Sequence, residues 1–365
     1  MSLGWRNLLQ DRLRFALSVA GVSLAVMLAL LLNGLLGGVY RQISLYLSET
    51  PGSVVVAQEG VENFLGVNSL LPPGTAESVR EAAGTSEVMP VLSQYIVPEL
   101  HGKKLFTYLV GYEKGLGGGP WKIAEGREPR ADDEAVFDEV LAEQHGVGIG
   151  DRIELVDRRF EVVGLSEETA SWMTNFVFVR KSAMESLVRA PGATSFLLVS
   201  PEDGATAGEV RDRLDGIPGT EVLLKSEVIG NDLDLFDSFR APLRLMAAIS
   251  YFVGVLVVGL VIYTATVERQ REYGVLKAIG AGNRMLYGVV TVQALAAAGL
   301  GSALGIGLAF GAARLIGAVR PQFLVVIGPA DIAWALLAGI LMALLAALVP
   351  VRTVARLAPA EVFRR

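Results

Sequence analysis

The chain contains no cysteine, which excludes disulfides, thiolate zinc sites and cysteine nucleophiles. It has only two histidines, His101 and His145, so imidazole-based metal centres and acid–base pairs have almost nothing to be built from. The phosphate-binding pattern G-x-x-x-x-G-K-[ST] is also missing, and the run Gly146-Val147-Gly148-Ile149-Gly150-Asp151 is not G-x-G-x-x-G. It reads instead as a turn feeding a strand. The chain therefore carries no nucleotide site of its own, and no Ser/His/Asp set or metal-ligand spacing stands out: catalytic residues none, metal none. Nothing in it has the basic character of a nucleic-acid binder.

What the chain has in quantity is apolar sequence. Of its 365 residues 52% are hydrophobic, with a mean hydropathy of +0.46. A bilayer core about 30 Å thick calls for roughly 20 apolar residues in a helix, and four segments meet that length: 15–39, 243–267, 285–315 and 332–350. The first exceeds the length of a cleaved signal segment and is expected to remain as an anchor. Between Arg41 and Pro242 lie 33 acidic and 18 basic residues, a net of −15, whereas the remainder carries 5 acidic and 14 basic, a net of +9. The expected fold class is thus a four-span helical membrane protein with an α+β extracytoplasmic domain, residues 40–242, inserted between the first and second spans.

Short basic flanks set orientation. Arg6, Arg12 and Arg14 precede the first span, Arg269, Arg271, Lys277 and Arg284 lie between the second and third, and Arg352, Arg356, Arg364 and Arg365 follow the fourth. Both termini and the 268–284 segment are expected in the cytoplasm, and the short 316–331 loop outside with the acidic domain. Residues 1–14, with Trp5, Leu8, Leu9 and Leu13 near one helical face, read as an amphipathic segment at the headgroup level or as a frayed basic tail. Residues 351–365 form a cytoplasmic tail.

The acidic domain is expected to begin irregularly. Strands are predicted over Ser53–Gln58, Lys104–Gly111, Arg152–Val156, Phe160–Gly164 and Phe176–Arg180, with helices after Gly74 and over Thr206–Leu214; Asp133–His145 reads as a strand start running into a helix. Gly115–Pro120 reads as a flexible link dividing the domain into two portions. The acidic run Asp132, Asp133, Glu134 reads as a solvated turn, lacking calcium-loop spacing. Trp172, Met173 and Phe176 are a candidate exposed contact for a lipid, an apolar substrate or a partner protein, with local packing as the alternative.

In the membrane segments Gly301-xxx-Gly305 and Gly307-xxx-Gly311 allow close helix approach, within one subunit or across a dimer. Asn33 and Gln293 are the main polar groups at depth and need a protein partner or a cavity, as interhelical bonds or as part of a cargo path. The stretch ERQREYGVLKAIGAG, Glu268–Gly282, reads as a short amphipathic helix suited to a partner's groove, or as a membrane-surface helix without a partner.

That stretch resembles the signature of the FtsX-like/MacB-like ABC permease family, ER-x-x-E-x-G-x-L-K-A-x-G, which Glu268, Arg269, Glu272, Gly274, Leu276, Lys277, Ala278 and Gly280 fill. The tail Pro350-Val351-Arg352 with Ala355-Arg356-Leu357-Ala358-Pro359-Ala360-Glu361 is similar to the family's closing pattern. Gly126-Arg127-Glu128-Pro129, Gly150-Asp151 and Phe160-Glu161-Val162-Val163-Gly164 resemble its G-R-x-P…G-D…F-x-V-V-G progression. Gln293 stands where the family often has Glu. The resemblance implies a homodimer in the bacterial inner membrane, in contact with membrane lipids and with two copies of a cytoplasmic ABC ATPase that holds the ATP and Mg. The coupling residues it implies are Glu268, Arg269, Arg271, Glu272, Tyr273, Gly274, Leu276, Lys277, Ile279 and Gly280. Two functions then compete. One is mechanotransmitted export or extraction of a hydrophobic or amphipathic compound such as a lipid, glycolipid, haem-like molecule or peptide. The other is a non-transport relay that moves the outer domain to regulate a cell-wall hydrolase or a sensor at the cell surface.

Overall fold

The computed structural model describes residues 12–82, 84–100, 102–169, 175–268, 271, 275, 277–279, 282–320 and 322–355. In chain order the elements are α1 (Arg12–Glu49), β1 (Val54–Gln58), α2 (Thr75–Glu81), β2 (Thr85–Ile96), β3 (Glu99–Leu100), β4 (Lys103–Lys104), β5 (Thr107–Tyr112), β6 (Ile123–Gly126), β7 (Glu134–Asp138), α3 (Glu139–His145), β8 (Arg152–Leu155), β9 (Arg158–Ser166), β10 (Asn175–Arg180), α4 (Lys181–Val188), β11 (Phe196–Pro201), α5 (Ala207–Leu214), β12 (Thr220–Leu224), α6 (Lys225–Leu235), α7 (Arg240–Glu268), α8 (Asn283–Val319) and α9 (Pro329–Ala355). They form two compact units, one helical and one α/β, and the division falls at Gly38 within α1.

The helical unit holds four helices long and apolar enough to cross a membrane: α1, α7, α8 and α9. Val22, Val26 and Leu30 of α1 share a core with Val258 and Ile262 of α7, Ala294, Ala298 and Ala309 of α8, and Ala343, Ala346 and Ala347 of α9. Alanine dominates because, where the surroundings are themselves apolar, helices associate by close packing rather than by escape from water. The opposite faces stay apolar, with Phe252, Leu256 and Leu260 on α7, Leu304 and Leu308 on α8, and Leu341 and Leu345 on α9 all exposed. A helix hydrophobic on all sides suits lipid rather than water.

In the α/β unit a sheet of order β12-β1-β11-β2-β5-β10-β7-β9-β6 carries β8 as a further partner of β9. It is mixed: β10 runs parallel to β5 and β7 parallel to β9, while the other pairs are antiparallel. Along β1, Val54 and Val56 enter one core cluster and Val55 and Ala57 another. Its continuous run of Val is the expected sequence of a strand covered on both faces. Asp138 starts α3 by accepting from the Val140 and Leu141 N–H groups at 2.8 and 3.2 Å, and Thr206 starts α5 through a reciprocal pair with Glu209.

Two expectations are corrected here and a third is refined. Residues 40–49 are not an irregular start, because α1 continues to Glu49 and buries Ile43, Tyr46 and Leu47 in the core of the α/β unit. Gly115–Pro120 is not a loose divider. Gly117 packs on Pro51 and Met89, and the Gly118 carbonyl accepts from the Tyr46 hydroxyl at 2.7 Å, while the sheet runs on unbroken. The acidic run is a turn at Asp132 and Asp133 as expected, but a tied one: Asp132 accepts from Ser182 at 2.5 Å, and Glu134, already in β7, is held by Arg127.

Candidate functional site

The family-like motifs of the α/β unit converge on one corner of the sheet. Gly126 and Gly164 face each other across the β6–β9 pair. A Cβ on Gly126 would sit 2.8 Å from the Gly164 Cα, and one on Gly164 would strike the Arg127 backbone, so both positions need the bare backbone. Arg127 then reaches Glu134 through both guanidinium nitrogens at 2.7 and 2.6 Å, and the same carboxylate accepts from the Arg130 and Ala131 N–H groups. The guanidinium holds the Glu134 carboxyl down to about 2. This pKa is depressed, so its stabilisation is present above the ordinary carboxylate range and is lost as pH falls toward 2. Glu134→Gln should therefore cost about 1–3 kcal/mol near neutrality and flatten that acid limb, read by thermal unfolding between pH 3 and 7.

The four glycines of the two spaced pairs in the third span separate into two kinds. A Cβ on Gly301 would lie 2.5 Å from Val22 Cβ and 2.9 Å from the Val19 carbonyl oxygen, and one on Gly305 would lie 2.6 Å from the Ser23 carbonyl oxygen. Gly307 and Gly311 have nothing within 4 Å. The first pair thus seats α1 on α8 within one chain, and the second faces open space. Asn33 and Gln293 are both half-buried.

Of the ten residues for which the resemblance implies a coupling role, Arg269, Glu272, Tyr273, Gly274, Leu276 and Gly280 lie outside the described residues, whereas Glu268, Arg271, Lys277 and Ile279 are within them. The Ile279 N–H donates to the Val275 carbonyl at 3.1 Å, so these two residues stand one helical turn apart on a common face. Both project outward, Val275 at 42% exposure and Ile279 at 76%, with Arg271 exposed one turn before them. Val275, absent from the set implied by the resemblance, shares this exposed face with Ile279, from which it is spaced by four residues.

Trp172 and Met173 also lie outside the described residues. Phe176 is corrected: it is only 4% exposed and cannot serve as a surface contact. Its ring stacks on Tyr46 with centroids 5.5 Å apart and meets Tyr108 and Trp121 edge-on. Tyr46 also stacks on Phe64 at 4.7 Å, so the last turns of α1 plug the aromatic core of this unit. Burial pushes the Tyr46, Tyr108 and Tyr112 phenols well above their usual range, which keeps all three neutral. A cleft of about 750 Å³ opens beside Ile96, Val97, Val156 and Met184 with Glu99 and Glu154 at its rim. Among the described residues no group of three or more His, Asp or Glu side chains is placed to hold a metal ion.

This combination of four apolar helices and an inserted mixed-sheet domain agrees with comparison to known proteins. The MacB-like periplasmic core domain matches residues 15–217, and the FtsX-like permease C-terminal domain matches residues 244–359. An uncharacterized ABC transporter permease of Mycobacterium tuberculosis is 26% identical over 367 residues, covering 98% of this chain and 97% of that protein. A putative hemin transport system permease protein, HrtB, of Staphylococcus epidermidis is 19% identical over 80% of each chain. The crystal structure of the periplasmic region of MacB from Actinobacillus actinomycetemcomitans aligns with a TM-score of 0.37 and 13% identity, over 49% of this chain and 92% of that one. With the periplasmic core match alone spanning more than half of its length, the chain belongs to the FtsX-like/MacB-like ABC transporter permease family and is a multi-pass membrane protein.

Proposed function

We propose that this permease works as a homodimer in the inner membrane, with both termini cytoplasmic, and passes the stroke of two copies of a separate ABC ATPase to its acidic domain. The cargo is a hydrophobic or amphipathic compound taken from the membrane. ATP and Mg belong to the partner chains. The observation that carries the reading is the Val275–Ile279 face. Two apolar side chains held outward on a helical turn beside Arg271 form a small amphipathic knob, and such a knob gains by entering an apolar groove. The cargo class draws support from the apolar outward faces that α7, α8 and α9 present along their middle turns. It draws further support from HrtB, a relative named for hemin transport.

Val275→Asp/Ile279→Asp tests the reading in the complete complex. Two carboxylates forced against an apolar groove should weaken ATPase association by about a hundredfold or more. Co-purification of the ATPase should be lost and ATP hydrolysis uncoupled, while the α/β unit stays folded by circular dichroism. Undiminished association and coupled hydrolysis in that variant would overturn the docking role.

A further inference from the structure

The connection between α8 and α9 contains an apolar strap, Leu324-Val325-Val326-Ile327, that lies along α1 within the helical unit. It faces Gly34, Gly37 and Gly38, whose spacing of three and four puts them on one side of the helix. A Cβ on Gly34 would come within 2.7 Å of Val325 Cγ1 and 3.0 Å of Ile327 Cγ1. One on Gly37 would lie 3.2 Å from the Val326 carbonyl oxygen, and one on Gly38 would fall on the Leu324 carbonyl. The Val326 N–H donates to the Gly34 carbonyl at 2.9 Å, and the Gly328 N–H donates to the Asp331 carboxylate at 2.8 Å, fixing the far end of the strap to the first turn of α9. Three glycines thus form a groove filled by the strap: by the Val325 and Ile327 side chains at Gly34 and by strap backbone at Gly37 and Gly38.

Two features make this seat more than packing. Adjacent glycines are the weakest spot in a helix, each less favourable than Ala, so Gly37-Gly38 is the point at which the 38-residue α1 bends most easily. The strap covers that point, yet among the described residues a single backbone hydrogen bond joins Leu324–Ile327 to α1, with the Gln42 side-chain amide donating to the Gln322 carbonyl at 2.9 Å just before it. We propose that the strap is a detachable latch. Seated, it braces α1 at Gly37-Gly38 and ties it to the α8–α9 connection; released, it lets α1 flex there. The existence of the seat is independent of the proposed ATP-driven stroke, whereas the timing of release rests on it.

The absence of cysteine makes the latch directly testable, because any introduced pair reports alone. A Cβ on Gly37 would lie 3.8 Å from Val326 Cβ, the separation typical of a disulfide. In the permease–ATPase complex in nanodiscs, Gly37→Cys/Val326→Cys should cross-link under copper phenanthroline without nucleotide. The oxidised form should lose ATP-driven turnover by roughly tenfold or more, since a tether removes one of the two states, and regain it on reduction. Val326→Cys alone should react faster with a maleimide when the complex is trapped with vanadate than without nucleotide. Adding Gly38→Ala, whose methyl collides with backbone, should raise that labelling rate without nucleotide by about tenfold. Failure to cross-link, or a labelling rate indifferent to Gly38→Ala, would overturn the seat. Full turnover of the oxidised pair would show a permanent brace and overturn the latch. Cross-linking and labelling without nucleotide read the seat even if the Val275/Ile279 variant disproves the ATPase docking.

Discussion

Gly305→Leu should dismantle the helical unit, whereas Gly307→Leu, two residues on, should leave it folded. At Gly305 the new side chain starts 2.6 Å from the Ser23 carbonyl oxygen and 2.9 Å from Val26 Cβ. The oxygen is backbone in the middle of α1 and has no rotamer by which to retreat. Either α1 lifts from α8 along its length or the Leu is strained, and overpacking of this kind costs about 3 kcal/mol or more. Gly301→Leu meets the same wall, because the Val19 carbonyl oxygen lies 2.9 Å from its Cβ position. At Gly307 and Gly311 nothing lies within 4 Å, so Leu adds apolar surface to a face that is already apolar. Size-exclusion profiles and melting curves of the detergent-solubilised variants check the contrast: a collapsed peak for Gly305→Leu and a preserved monomer fold for Gly307→Leu. Equal behaviour of the two would mean that α1 and α8 do not pack through Gly305. Conversion of a dimer to a folded monomer by Gly311→Leu alone would put the proposed homodimer contact on that second face.

The same two pairs show what the sequence discloses and where it stops. Four apolar runs with at most one charge each reveal the spans because lipid imposes a composition, and composition is local. Which glycine of four meets a neighbour depends on the rotation of α8 about its own axis, which spacing alone leaves open. The end of α1 went unread for a related reason. The apolar run stops near Arg41, but the helix does not, because Ile43, Tyr46 and Leu47 turn from one apolar surrounding to another. Strand β2 is hidden by Pro90, which the sheet tolerates where pairing with β5 has not yet begun, since that pairing starts at Val91. For Phe176 the sequence leaves surface contact and local packing both open, and the position of β10 between two covered faces decides for packing. The motif from Glu268 to Gly282 is legible as a family likeness, while the outward projection of Val275 beside Ile279 depends on how that segment is turned, which the motif leaves open.

Asp232 is a buried group with no sequence signal at all, and it should make the α/β unit less stable as pH rises. Its carboxylate oxygen Oδ1 accepts from the Phe64 and Leu65 N–H groups at 3.0 and 2.9 Å, closing the loop that presents Phe64 to Tyr46 and Tyr108. Burial pushes its carboxyl from 3.8 up to about 7, against the lowering effect of the two backbone donors. Between these values the folded chain keeps a proton that the unfolded chain has released. Stability therefore falls by about 1.4 kcal/mol per pH unit across that window and levels off above pH 7, a total on the order of 4 kcal/mol. Asp232→Asn keeps a carbonyl oxygen for both donors and removes the charge. Its melting temperature should equal that of the parent near pH 4, exceed it increasingly toward pH 7, and hold a constant lead above. Asp232→Ala should be less stable than Asp232→Asn at every pH, since it strands two buried N–H groups at about 1–3 kcal/mol each. Hydrogen exchange of the Phe64 and Leu65 amides separates the effects: protection retained in Asp232→Asn and lost in Asp232→Ala. Parallel melting curves for the parent and Asp232→Asn across pH 4–8 would mean that this carboxylate carries its charge in the fold without cost.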